Sequence, residues 1–172
     1  MPVSGFMLMR LAFMIRDFIS PRMNVVREAG IRPGNSVLDF GCGPGSYILP
    51  VAALVGRTGT IFAQDIHPLA IKAVQEIARK NGLENVTAIQ SDCATGLPDR
   101  TVDVVLLYDT YHHLKDPDSV LKEMHRVLKP EGILSFSDHH MKQKEIEKDI
   151  AARALFTIRK KNKKTYTLSK RR

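Results

Sequence analysis

At 172 residues the chain has room for one domain, and with 44% hydrophobic and 26% charged residues its composition is that of an ordinary globular protein. A chain of this size buries roughly 70% of its unfolded surface, so disordered, collagen-like and disulfide-scaffold classes are excluded. The net charge of +8 has one source: residues 159–172, RKKNKKTYTLSKRR, hold eight basic residues and no acid, while residues 1–158 balance 18 basic against 18 acidic side chains.

Met7, Leu8, Leu11, Met14, Ile15 and Phe18 recur at helical spacing, which predicts an amphipathic helix over 6–19. Its fourteen residues carry Arg10, Arg16 and Asp17, too short and too charged for a membrane span. Ser20-Pro21 reads as an N-cap with proline at the first helical position of a second helix, stopped at Gly30. A strand over 36–40 runs into glycines, followed by a helix over 46–55, a strand over 60–64 and a helix from Pro68 to Asn81-Gly82. Strands follow at 86–90 and, after a polar loop, at 102–108, where a nearly continuous apolar run marks a buried central strand. Asp116-Pro117 opens a helix to about Leu128, Lys129–Gly132 is a turn, and 133–137 is a fifth strand. A polar helix over 141–152 precedes 155–160 and 165–169, which flank Lys161–Lys164 as a hairpin. This alternation predicts an open, Rossmann-like α/β sheet of seven strands, mostly parallel, with helices on both faces and a C-terminal antiparallel hairpin. One domain over 1–172 is expected: an N-terminal helical lid or packing segment (1–30), a binding core (31–140), and a last helix with the basic hairpin (141–172).

The sharpest motif is Val37-Leu-Asp39-Phe-Gly41-Cys42-Gly43-Pro-Gly45-Ser-Tyr47. Glycines after a strand let the backbone turn tightly and approach a ligand, and the helix N-terminus behind them offers free amides to an anionic group. Dinucleotide loops follow G-x-G-x-x-G. Here the spacing is G-x-G-x-G and the strand ends in Asp39, which would repel a pyrophosphate and suit a ligand with an ammonium group. S-adenosylmethionine has such a group beside a carboxylate. An oxidoreductase or other dinucleotide-binding protein is the rival, and spacing and acid argue against it.

Further segments match in order, and the chain resembles the class I S-adenosylmethionine-dependent methyltransferases, in particular the small single-domain type 11 group. The resemblance is clear over 31–140. It rests on the glycine loop, Gln64-Asp65-Ile66, Gln90-Ser-Asp92-Cys93, Leu97-Pro-Asp99 with Val102–Val105, and Arg126–Gly132. It implies S-adenosylmethionine as cofactor, with Asp65 on the ribose hydroxyls, Asp92 on the adenine amino group and the next amide on the ring. Asp39, Gly41, Cys42, Gly43, Gly45, Tyr47, Asp65, Ile66, Asp92, Cys93 and Tyr108 are the candidate cofactor residues. Plainer roles stand beside these: Asp65 as a helix cap, Asp92 as a solvated loop residue, and Cys42 and Cys93 as small pocket-lining groups rather than nucleophiles or a disulfide. Two cysteines and no secretory leader pattern point to a reducing, cytoplasmic location.

Ligands of such sheets sit at the carboxyl edge. Tyr108-Asp109-Thr-Tyr111-His112-His113 follows the fourth strand and Asp138-His139-His140 the fifth. His112, His113, Asp138 and His139 are candidate bases for an acceptor that must lose a proton, with pocket shaping as the alternative. Asp109 and Asp138 also occupy places where some catechol-type relatives bind magnesium, although their surroundings do not match that subgroup. The acceptor is expected to be a small molecule, largely apolar if it enters beneath the N-terminal helix, whose methionines would suit a lid. A nucleic-acid methyltransferase is the alternative, but Tyr108–Tyr111 lacks an Asn-Pro-Pro-Tyr-like segment. A non-catalytic S-adenosylmethionine-binding regulator is another. The basic C-terminus reads as protection of a sheet edge, with anionic membrane or nucleic acid as a partner the less favoured role.

Overall fold

The computed structural model describes residues 3–171. Seven strands form one sheet: β1 (Ser36–Phe40), β2 (Thr60–Asp65), β3 (Val86–Gln90), β4 (Val102–Tyr108), β5 (Leu128–Ser137), β6 (Phe156–Lys161) and β7 (Tyr166–Lys170). Their order is β3-β2-β1-β4-β5-β7-β6. β1 to β5 are parallel, and β7 pairs antiparallel with both β5 and β6. The helices are α1 (Val3–Ile19), α2 (Met23–Val26), α3 (Ile48–Val55), α4 (Pro68–Lys80), α5 (Pro117–Val127) and α6 (Gln143–Arg153). The predicted fold class is the observed one.

Strand alternation sends successive side chains to opposite faces. Val37, Val104, Leu106 and Tyr108 pack with Val26, Ile48, Val51 and Val74 on one side. Leu38, Phe40, Val105 and Leu107 pack with Leu121, Met124, Ile146 and Ile150 on the other. Both faces are therefore covered, which is why β4 reads as an apolar run. The β1-to-β4 neighbourhood, where strand order reverses, leaves a crevice at the carboxyl edge.

Several local expectations need correction. Ser20 is not an N-cap: α2 starts at Met23 after Arg22, with no side-chain cap. Lys129–Gly132 is not a free turn but an irregularity inside β5, because Leu128 pairs with Val102 and Ile133 with Val104. Four residues bulge out between two rungs of the ladder, and pairing resumes on either side. Asp116 does cap α5, accepting from Ser119 N at 3.0 Å. α6 begins at Gln143, and Glu145 reaches back to accept from Lys142 N at 2.8 Å.

α1 lies across the carboxyl edge of the sheet. Phe6 is buried and stacks on His67 with ring centroids 5.1 Å apart. Arg16 Nη2 donates to Ser46 Oγ at 3.1 Å, and its guanidinium sits 4.0 Å over the Phe13 ring. The apolar side chains Met7, Leu8, Leu11, Met14, Ile15, Phe18 and Ile19 are exposed. Among the described residues, no helix is long and apolar enough to cross a membrane.

Candidate active site

The strand-to-helix loop after β1 is built on glycine. Gly41 and Gly43 have φ of +77° and +51°. A Cβ on Gly41 would come within 2.3 Å of Thr110 Oγ1, so the β1 and β4 loops touch through the missing side chain. Gly41 N and Cys42 N both donate to Gln64 O, at 2.8 and 2.9 Å. Gly45 does a different job: its α-carbon faces Ile77 of α4, where a Cβ would lie at 2.7 Å, and it lines none of the clefts described below.

Asp39, one residue before the end of β1, is 2% exposed, and its Oδ2 has no hydrogen-bond partner among the described residues. Burial, then the nearby Asp65 charge, pushes its carboxyl up to about 7. A buried carboxylate oxygen without a donor costs stability and calls for one. Asp65 is half-buried; its Oδ2 accepts from Gly43 N at 2.9 Å and its Oδ1 from His67 N at 2.8 Å. It thus braces the glycine loop and leads into α4, and each oxygen keeps a second lone pair for a ligand.

Three adjoining clefts run along the sheet edge. The first, about 600 Å³, is lined by Gln64, Asp65, Ile66, Asp92, Cys93 and His113 among others. The second, about 350 Å³, lies under α1 between Phe6, Phe13, Gly41–Gly43, Tyr47 and Tyr108. These two share Gly41, Asp65, Ile66, Thr110 and His113. The third, about 480 Å³, meets the second at Arg16, Tyr47 and Asp109 and is closed on its far side by the turn between β6 and β7. Tyr47 and Tyr108 meet edge-on at 5.1 Å, and the Tyr108 hydroxyl is fixed by Ser135 Oγ at 2.7 Å.

The candidate bases lie in one row of imidazoles, His113, His112, His140 and His139, with successive ring centroids 3.9, 4.2 and 3.9 Å apart, and two carboxylates hold it. His139 Nδ1 lies 2.7 Å from Asp109 Oδ1, which also accepts from His139 N at 3.1 Å. Asp109 and His139 both line the third cleft, and Asp109 holds a left-handed φ of +50°. Aspartate tolerates this region better than most residues, and the conformation turns the chain sharply after β4. His112 Nδ1 lies 2.8 Å from Asp138 Oδ2, and His112 N donates to the same oxygen at 3.0 Å. Asp138 is buried, and despite that burial its bonds to His112 hold its carboxyl below the usual range. Asp138 lines the third cleft, whereas His112 lines none of the three. His113 lines the first two. Among the described residues no group of three or more potential ligands is arranged to hold a metal ion. Cys42 and Cys93 are free thiols lining separate clefts.

The sequence reading missed several lining residues. Gln64 is fully buried; its Nε2 donates to Cys93 O at 3.1 Å, tying the β2 and β3 loops together, and its Oε1 has no partner among the described residues. Thr110 lines two clefts and donates to Tyr108 O at 3.0 Å. Arg16, Arg22 and the lysines of the hairpin turn line the third. The only signal for Gln64 was its polarity inside an apolar strand. The basic residues gave none, because their convergence is tertiary.

The residues fit the methyltransferase expectation in kind: an unpartnered acid behind the glycine loop, an acid after β2 and another after β3. A family model described as a methyltransferase domain matches residues 31–171. The demethylmenaquinone methyltransferase of Geobacillus stearothermophilus is 31% identical over 119 residues, covering 69% of this chain and 51% of its own length. The ubiquinone/menaquinone biosynthesis C-methyltransferase UbiE of Escherichia coli is 35% identical over 114 residues, covering 63% of this chain and 45% of its own. The chain thus spans about half the length of these relatives. Among solved structures, an S-adenosylmethionine-dependent methyltransferase from Aquifex aeolicus superposes with a TM-score of 0.72 at 26% identity, over 91% of this chain and 96% of that one. The glycine loop, the ordered acids, the sheet order and these matches agree, and the chain belongs to the methyltransferase-domain family, as a class I S-adenosylmethionine-dependent member of the small type 11 kind.

Proposed function

We propose that the protein is an enzyme that methylates a small molecule bound in the third cleft. The observation that carries this reading is the junction of the clefts at Tyr47 and Asp109, which puts the Asp109–His139 pair where the glycine-loop cleft opens into a second chamber. S-adenosylmethionine, when bound, supplies an electrophilic methyl group on a sulfonium centre. Asp39 would take its ammonium group, Asp65 the ribose hydroxyls, Asp92 and the Cys93 amide the adenine. Gly41, Cys42, Gly43, Ile66, Tyr47 and Tyr108 form the walls.

The chain's own contribution to the chemistry is orientation, exclusion of water and proton removal. Asp109 Oδ1 lies 2.7 Å from His139 Nδ1 and accepts from His139 N, which would hold the ring with Nε2 as its free nitrogen. We assign His139 as the general base for an acceptor that must lose a proton. Asp138 and His112 are positioning residues, bracing the β4 and β5 loops against each other across 26 positions of sequence. By their names one relative methylates demethylmenaquinone and the other is a C-methyltransferase of ubiquinone and menaquinone biosynthesis; for this chain the acceptor is argued below from its own cleft.

Calorimetry with S-adenosylhomocysteine against NADH, followed by a labelled-methyl screen over small acceptors, tests the reading. Binding of S-adenosylhomocysteine alone and labelling of at least one acceptor are expected. Failure to bind S-adenosylhomocysteine would sink it.

A further inference from the structure

We infer that the methyl acceptor is a small organic anion, an apolar body carrying a carboxylate or phosphate, recognised by the cationic third cleft; this rests on the methyltransferase reading of the same site. Five cations line that cleft: Arg16, Arg22, Lys161, Lys163 and Lys164. The lining holds two carboxylates, and both are engaged. Asp109 Oδ1 serves His139 N and Nδ1, and Asp138 serves His112 through Oδ2 and His140 N through Oδ1.

The cations are far less well satisfied. Among the described residues none of the three lysine ammonium groups lies within 4 Å of a carboxylate: Lys161 Nζ donates to Gln143 Oε1, and Lys164 Nζ reaches Ser20 Oγ at 3.4 Å. Arg16 and Arg22 share a single acid, Asp17, at 2.8 and 3.1 Å. Glu28 spends its Oε2 on Lys164 N, Thr165 N and Thr165 Oγ1, all at 3.0 Å. Within the lining itself five cations face two carboxylates, with Asp17, Glu28 and Glu147 standing behind it. Like charges converging on a concavity repel one another, and a bound anion relieves that repulsion.

The lysines are held there by construction. Glu28, in the 3-10 turn Arg27–Ala29 that follows α2, clamps the turn backbone, Asn162 N donates to Thr165 O at 2.8 Å, and Asn162 Nδ2 donates to Thr165 Oγ1 and Thr167 Oγ1. Merely protecting a sheet edge requires lysines along β6, not a clamped turn folded over a cleft. Val25, Tyr47, Met141, Ile146 and Tyr166 supply the apolar part of the lining. An anion with an apolar body matches both halves of this chamber.

The full chain, alone and saturated with S-adenosylhomocysteine, is titrated with benzoate, phenyl phosphate and neutral benzamide by protein-observed NMR. At least one anion should bind tenfold or more tightly than benzamide. The Lys163→Glu/Lys164→Glu double variant should lose that preference while its affinity for S-adenosylhomocysteine stays within twofold, which also reports that it folds. The two anions distinguish a carboxylate head from a phosphate. Equal affinity for all three probes, or a preference that survives the charge reversal, overturns the inference. So does salt-sensitive binding to anionic vesicles or a short RNA that the double variant loses, if neither small anion binds. Loss of S-adenosylhomocysteine binding by the unaltered chain would instead defeat the methyltransferase reading, with the anion titration of the ligand-free chain still readable.

Discussion

Replacing Asp39 with asparagine should make the ligand-free protein more stable at neutral pH and ruin its cofactor site. The native carboxyl titrates near 7, against an ordinary 3.8. The folded state therefore holds a proton that the unfolded state has already released. Stability from this group is fully present below about pH 4 and is lost as pH rises to about 7. At ~1.4 kcal/mol per pH unit, the interval from 3.8 to about 7 comes to ~4 kcal/mol as an upper bound. The amide that replaces the carboxyl has nothing to ionise, so the variant's stability relative to the parent should climb by ~2 kcal/mol between pH 5.5 and 7 and then level off. In a protein of this length that is about 4–8 °C in Tm. Urea unfolding of both proteins across pH 5.5–8 reads the difference. Affinity of the parent chain for S-adenosylhomocysteine should rise up to tenfold per unit over the same range, because an ammonium group requires the ionised acid, and the variant should bind at least a hundredfold more weakly. A stability difference independent of pH would refute the argument.

Gly41→Ala should weaken S-adenosylhomocysteine binding at least tenfold and cost ~1–3 kcal/mol, since the new Cβ meets Thr110 at 2.3 Å from a backbone at φ +77°; Thr110→Gly in the same chain should recover part of the stability but not the backbone term, measured by urea unfolding. His139→Gln should lower kcat by ~10²–10⁴-fold on a proton-bearing acceptor, with S-adenosylhomocysteine affinity unchanged by calorimetry. Asp138→Asn should lower kcat less and stability more than His139→Gln, because it loosens His112 and His140 rather than touching the acceptor. Glu123, held near 2 chiefly by Arg126 and also by Thr95, adds stability that is present above its ordinary 4.5 and disappears as pH falls through about 2. Glu123→Gln should therefore flatten the acid limb of the unfolding curve and cost ~1–3 kcal/mol at pH 7.

Much of the fold is legible in the chain because it follows from local periodicity. The apolar run of β4 reports burial on both faces, successive residues of β1 enter two cores, and Gly41 marks where only glycine fits the turn. The candidate acids Asp39, Asp65 and Asp92 reach one edge because each lies at or just past the end of a parallel strand, and a parallel sheet delivers all its strand ends to one edge. What local pattern could not supply is contact between distant segments. Asp109 meets His139 across 30 positions, and Asp138 meets His112 across 26. Four histidines from two distant loops thereby come into one stacked row, anchored by Asp138 at His112 and by Asp109 at His139.

The same distinction resolves the charge. Sequence alone established that the +8 lies in the last fourteen residues and that those residues form an edge hairpin. Only the tertiary structure decided where the hairpin's turn goes: Glu28, 136 residues from Lys164, clamps it over a chamber that α1 supplies with Arg16. A backbone's periodicity is written by neighbours a few residues apart, whereas a binding site is written by whichever segments the folded sheet brings within reach, and the cations of this chamber come from the chain's two ends.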